Sequence, residues 1–149
     1  MKEAGVILDR AGRPLYWHLP DGRTWASLPD SRLLWDILWG SRELISGFAH
    51  SHPGRGLPSP SSEDVTTFAA IEAALGVRLD WWITSESHLV LARWIGPGEH
   101  AYRTCTKPSE PAWAAPLRAV SRGSSWTEDM SHDRTQRSTR EHHLGGPER

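Results

Sequence analysis

The stretch GFAHSHPGRGLPSPSSED, Gly47 to Asp64, gathers two histidines, a turn-rich loop, a hydroxyl and a carboxylate. An apolar run from Leu44 to Ala49 leads into it and reads as a buried strand, with His50 and His52 at its end. In an extended chain, side chains two residues apart point to the same side. Two imidazoles held side by side suit zinc, which takes nitrogen ligands in a tetrahedron. Pro53, Gly54, Gly56, Pro58 and Pro60 then make a loop that can fold back on the histidines. Ser61-Ser62-Glu63-Asp64 opens an amphipathic run, Val65 to Leu75, that stops at Gly76, as a helix does. Each half also has an ordinary reading. Ser-x-x-acid is the pattern of a helix N-cap, and an isolated His-x-His is commonly a pair of strand-end polar residues. The combination is what points to a metal.

Composition narrows the classes. A chain of 149 residues is one domain's worth and can bury a single core. Lys plus Arg number 17 against 18 Asp plus Glu, a formal charge of -1, so the basic excess that a phosphate backbone attracts is missing. Nucleic acid is therefore not expected as a partner. The lone Cys105 excludes an internal disulfide framework and a cysteine-rich zinc knuckle, and fits a reducing compartment. No apolar run approaches membrane-spanning length, so a soluble, cytoplasmic protein without a membrane partner is expected.

To the N-terminal side, Glu3 to Leu8 predicts a first strand, and Asp9 to Arg13 supplies the turn into a second around Leu15 to Leu19. Thr24 to Leu28 reads as a further short strand. Pro29-Asp30-Ser31 sets up a helix in which Leu33, Leu34, Ile37 and Leu38 recur near helical spacing, with Gly40 beyond its end. To the C-terminal side, Arg78 to Thr84 and His88 to Trp94 form a second hairpin about Ser85-Glu86-Ser87, and Ala101 to Thr104 adds an edge strand. Alternating strands and helices predict an α/β (α+β) fold with a mixed β-sheet flanked by helices. The domain is expected over 1–106. Residues 107–120, interrupted by Pro108, Pro111 and Pro116, read as a Pro-rich linker with a helical turn or two, and 121–149 as a disordered tail. Of the nine tryptophans, Trp35, Trp39, Trp81 and Trp82 lie on predicted elements and are expected in the core. His18, His88 and His100 read as scattered surface or strand residues.

The run His50-Ser51-His52-Pro53, seven residues, then Ser61-x-x-Asp64 resembles the zinc signature of the JAB/MPN (JAMM) metallopeptidases. That family includes deubiquitinating isopeptidases and many small bacterial members, and the likeness extends from roughly Glu3 to Arg103. The resemblance implies a JAB/MPN-like (cytidine-deaminase-like) sheet and a compact, bacterial-type member. It implies one zinc per chain on His50, His52 and Asp64, with a water in the fourth position to attack an amide carbonyl. In the family the serine, here Ser61, stabilises the resulting oxyanion.

The family's upstream glutamate is matched by Glu3, which is followed by Ala4, Gly5 and an apolar strand, and Glu3 is expected to be the general base. Glu43 lies roughly 23 Å from His50 along an extended strand. Glu72 lies about 12 Å from Asp64 along a helix. Glu63 is expected to point off another helix face. The implied substrate is a peptide or isopeptide bond beside a ubiquitin-like or sulfur-carrier protein tail, with Arg55 and Leu57 the loop residues expected to meet it. The alternative is a non-catalytic MPN-like scaffold that binds protein; a two-metal phosphoesterase would need more ligands than the core offers.

Overall fold

Gly5–Asp9 (GVILD, β1) is buried on both faces, which explains its unbroken apolar run, and the sheet grows from it in both directions. The computed structural model describes residues 1–123. After β1 come β2 (Pro14–His18), α1 (Arg32–Gly40), β3 (Ile45–Ser51), α2 (Ser62–Leu75), β4 (Asp80–Thr84), β5 (Leu89–Trp94), β6 (Tyr102–Thr106) and α3 (Ala114–Ser121). The strands form one six-stranded sheet in the order β2-β1-β3-β4-β5-β6. Only β3 and β4 pair in parallel, because α2 carries the chain back over the sheet between them; the other neighbours are antiparallel. The fold is thus mixed α/β.

The pleat sorts side chains to two cores. Ile7, Phe48, Trp81 and Ile83 meet Leu34 and Leu38 of α1 and Phe68, Ile71 and Leu75 of α2 on one face. Val6, Leu8, Ala49 and Leu89 meet Trp113, Leu117 and Val120 of the α3 region on the other. Gly5 pairs with His50, and a Cβ at Gly5 would come within 2.5 Å of the Phe48 ring, so a side chain there would displace that ring from the core.

Several expectations change. Thr24 to Leu28 is not a strand: the Thr24 amide donates to the Ser27 carbonyl (2.9 Å) and the Ala26 amide to Thr24 Oγ1 (3.2 Å), curling the segment into a turn. Gly40 ends α1 from within it, and Ser41 caps the helix by donating to the Ile37 carbonyl. Trp81 is in the core, but Trp39 is 55% exposed, its ring beneath the Arg42 guanidinium. His18 is a strand residue, the last of β2, and is fully buried.

Of the 107–120 reading, the short helix is present as α3, but the segment is packed rather than a linker. Trp113, Ala114, Leu117 and Val120 are buried against the sheet, and Arg118 Nε donates to the Ser85 carbonyl (2.8 Å), fastening α3 to the β4–β5 turn. From the expected 121–149 tail, Ser121 is the last residue of α3 and is buried. The rest of that expectation, from 124 onward, lies outside the described residues. Among the described residues no helix is long and apolar enough to cross a membrane.

Candidate metal centre

His50 sits in β3 on the face that carries Phe48, and its ring meets Phe68 of α2 edge-on at 6.2 Å. His52 follows just past the strand, its amide donating to the Thr84 carbonyl (2.8 Å). Asp64 lies in the first turn of α2. There Ser61 is the N-cap: its Oγ accepts from the Asp64 amide (3.0 Å), while Asp64 Oδ2 accepts from the Ser61 amide (2.9 Å), a reciprocal capping box. The same Oδ2 faces the histidines, 3.4 Å from His50 Nε2 and 3.1 Å from His52 Nε2. The two Nε2 atoms are 2.8 Å apart.

Two Nε2 atoms facing each other so closely must share one proton or present lone pairs to one cation. The three spacings leave a point about 2 Å from all three atoms, just off their plane, which is the reach of zinc to imidazole nitrogen and carboxylate oxygen. The donor set therefore fits zinc. Among the described residues, this trio is the group of His, Cys, Asp or Glu side chains that converges in this way.

Glu3 shares the cavity with the trio and is itself buried. It precedes β1, yet its segment is bonded on several sides. The Glu3 amide donates to the Thr24 carbonyl (2.7 Å), and the Arg23 guanidinium donates to the Glu3 carbonyl (3.1 Å). Ala4 exchanges two bonds with Ser51: its amide donates to Ser51 Oγ (2.9 Å), and its carbonyl accepts from the Ser51 amide (2.9 Å). Ser51 Oγ donates to Ser121 Oγ (2.9 Å), which donates to the Lys2 carbonyl (2.6 Å). The alternation of β3 thus sends His50 to α2 and Ser51 to α3. One strand positions the ligand on one face and clasps the Glu3 segment on the other.

Electrostatics follow from burial. Desolvation raises the Glu3 carboxyl above its ordinary value, although His50 and His52 pull the other way. Burial would raise Asp64 too, but the bonds from His50 and His52 outweigh it and hold its carboxyl well below the usual range. Burial would lower His52, yet its bond to Asp64 raises it overall. Deeper in, buried Glu72 accepts from the Leu79 amide (2.8 Å), Trp81 Nε1 (3.2 Å), Arg78 (3.0 Å) and the Tyr102 hydroxyl. Trp81 stacks on Phe68 at 4.3 Å between centroids, so Glu72 braces the wall behind His50.

The structure thus brings together His50, His52, Asp64, Ser61 and Glu3. It does not bring Arg55 and Leu57 to them: both are exposed and neither lines the cavity, which the loop reaches through Pro53, Ser59 and Pro60. Glu63, set aside on sequence grounds, does line it. So do His18 and the segment from Trp25 to Leu28, whose place no local pattern discloses. No protein-family model matches the chain, and a search of curated proteins finds no match either.

Proposed function

We propose that this protein is a zinc-dependent peptidase or isopeptidase of the JAB/MPN type, with the JAB/MPN-like fold that such a site belongs to. The observation that carries the reading is the convergence of His50 Nε2, His52 Nε2 and Asp64 Oδ2 in a cavity that also holds the buried Glu3. Zinc bound there would acidify a water and polarise the scissile carbonyl. Glu3 would take a proton and return it to the leaving amine, and its raised pKa suits both halves of that task. Ser61 spends a lone pair on the Asp64 amide, which leaves its proton to donate to the developing oxyanion. His50, His52 and Asp64 would hold the metal through Nε2, Nε2 and Oδ2. The substrate in this reading is a protein tail of ubiquitin-like or sulfur-carrier kind, and the lone exposed Cys105 is compatible with the cytoplasm.

Elemental analysis of purified protein beside Asp64→Ala tests the metal. Near one zinc per chain, lost in the variant, is expected; no zinc in reconstituted wild type would favour a protein-binding scaffold. Glu3→Gln should keep zinc and lose cleavage of a susceptible amide by at least about 100-fold. Undiminished cleavage would remove Glu3 from the mechanism.

A further inference from the structure

The turn Ser85-Glu86-Ser87 joins β4 to β5, and it also holds the loop, residues 53–60, that carries the chain from His52 to Ser61. The Glu86 amide donates to the Gly54 carbonyl (2.9 Å), the Gly56 amide donates to Ser87 Oγ (3.1 Å), and Ser85 Oγ donates to the Gly56 carbonyl (2.5 Å). Just before the turn, the Thr84 carbonyl accepts from the His52 amide (2.8 Å). The turn therefore follows the loop from the second histidine as far as Gly56. Both loop glycines have positive φ, +131° at Gly54 and +103° at Gly56. Glycine in such a conformation resists deformation least, so the path of the loop has to be fixed from outside it.

Ser85 is the buried member of the turn that does this, only 5% exposed. Its Oγ accepts from the His88 amide (3.2 Å) while donating to Gly56, and its carbonyl accepts from Arg118 Nε (2.8 Å). One residue thus links α3 to the loop. Ser87 is exposed, and water can replace the bond it makes.

We propose that Ser85 is a positioning residue for the metal centre: by holding Gly56 it fixes the path of the loop, and so the spacing between His52 before it and Asp64 after it. The metal part rests on the zinc reading; the hold on the loop does not. Hydrogen-bond partners of metal ligands typically change affinity by about 10- to 100-fold, and Ser85 acts one step further out, so a loss of about 5- to 10-fold is expected.

Zinc affinity of full-length wild type, Ser85→Ala, Ser85→Thr and Arg118→Gln can be measured by competition with a chromophoric chelator, beside hydrogen exchange of the metal-free proteins. Circular dichroism verifies that each variant folds. Ser85→Ala should bind zinc about 5- to 10-fold more weakly, with faster exchange at the Glu86 and Gly56 amides. Ser85→Thr keeps the hydroxyl and should bind zinc as wild type does. Arg118→Gln loosens α3 but leaves the Ser85 hydroxyl in place, and should retain zinc affinity. Unchanged affinity in Ser85→Ala would overturn the proposal, as would an equal loss in Ser85→Ala and Arg118→Gln, which would reduce Ser85 to general stability. A wild type that binds no zinc sinks the metal reading itself, and exchange at Glu86 then decides whether Ser85 holds the loop.

Discussion

Ser61 carries two duties on one hydroxyl, and substitution can part them. As N-cap its oxygen accepts from the Asp64 amide. Replacing a capping serine by alanine costs about 1 kcal/mol, whereas glycine costs only a few tenths. Ser61→Ala should therefore lower stability measurably in urea and Ser61→Gly hardly at all. If the hydroxyl also donates to an oxyanion, both variants lose cleavage alike, by about 100-fold or more. Loss of rate that tracks loss of stability would instead make Ser61 a cap alone. Gly5 is a simpler case. A Cβ there meets the Phe48 ring, so Gly5→Ala should destabilise by about 1–3 kcal/mol, read from the urea midpoint. Ser61, His50 and His52 were legible in the sequence because their duties are local: a cap three residues from its partner and two histidines two residues apart. Glu72 was not, since its four partners come from β4, β6 and the approach to β4, which no short window brings together.

Among the elements, α3 is the one whose place in the core the sequence concealed. Three prolines and few apolar residues suggest a linker, but Trp113, Leu117 and Val120 recur at helical spacing, and Pro116 falls in the first turn, where an amide has no helical acceptor to lose. That periodicity was the available signal. By covering Val6, Leu8 and Ala49, α3 brings Ser121 against Ser51 and the Lys2 carbonyl. Ser121→Ala leaves the buried Ser51 hydroxyl and the half-buried Lys2 carbonyl without this partner, which costs about 1–3 kcal/mol. Hydrogen exchange should quicken at the Ala4 amide, which donates to Ser51 Oγ, while zinc content holds because the ligands belong to β3, the loop after it and α2. Under the proposed chemistry cleavage falls as Glu3 loosens, and Ser121→Thr restores it. Unchanged exchange at Ala4 in Ser121→Ala would show that the clasp does not hold the Glu3 segment.

Across the fold, alternating helices and strands disclosed the class and the two hairpins, β1–β2 and β4–β5, because hairpins are sequence neighbours. The cavity was not legible, for its walls come from the turn after β2, from α1, β3, α2 and β4, and meet only when the sheet is assembled. His18 records that assembly in its titration. It is fully buried on β2, and its Nε2–H donates to the Pro29 carbonyl (2.7 Å). Burial lowers its pKa, only partly countered by that carbonyl and by Asp30. An unfolded histidine titrates near about 6.5. Between that value and the lower folded one the unfolded chain binds more protons, so stability falls as pH falls and is fully present above about 6.5. His52, whose pKa is raised, contributes in the opposite sense, with stability lost as pH rises through its folded value. The comparison therefore has to be a difference. Urea unfolding of metal-free wild type and His18→Gln from pH 8 to pH 5 keeps His52 common to both. The stability advantage of wild type should shrink as pH drops below about 6.5. A difference that stays constant across that range would mean that His18 carries its proton in the folded state as readily as in the unfolded chain.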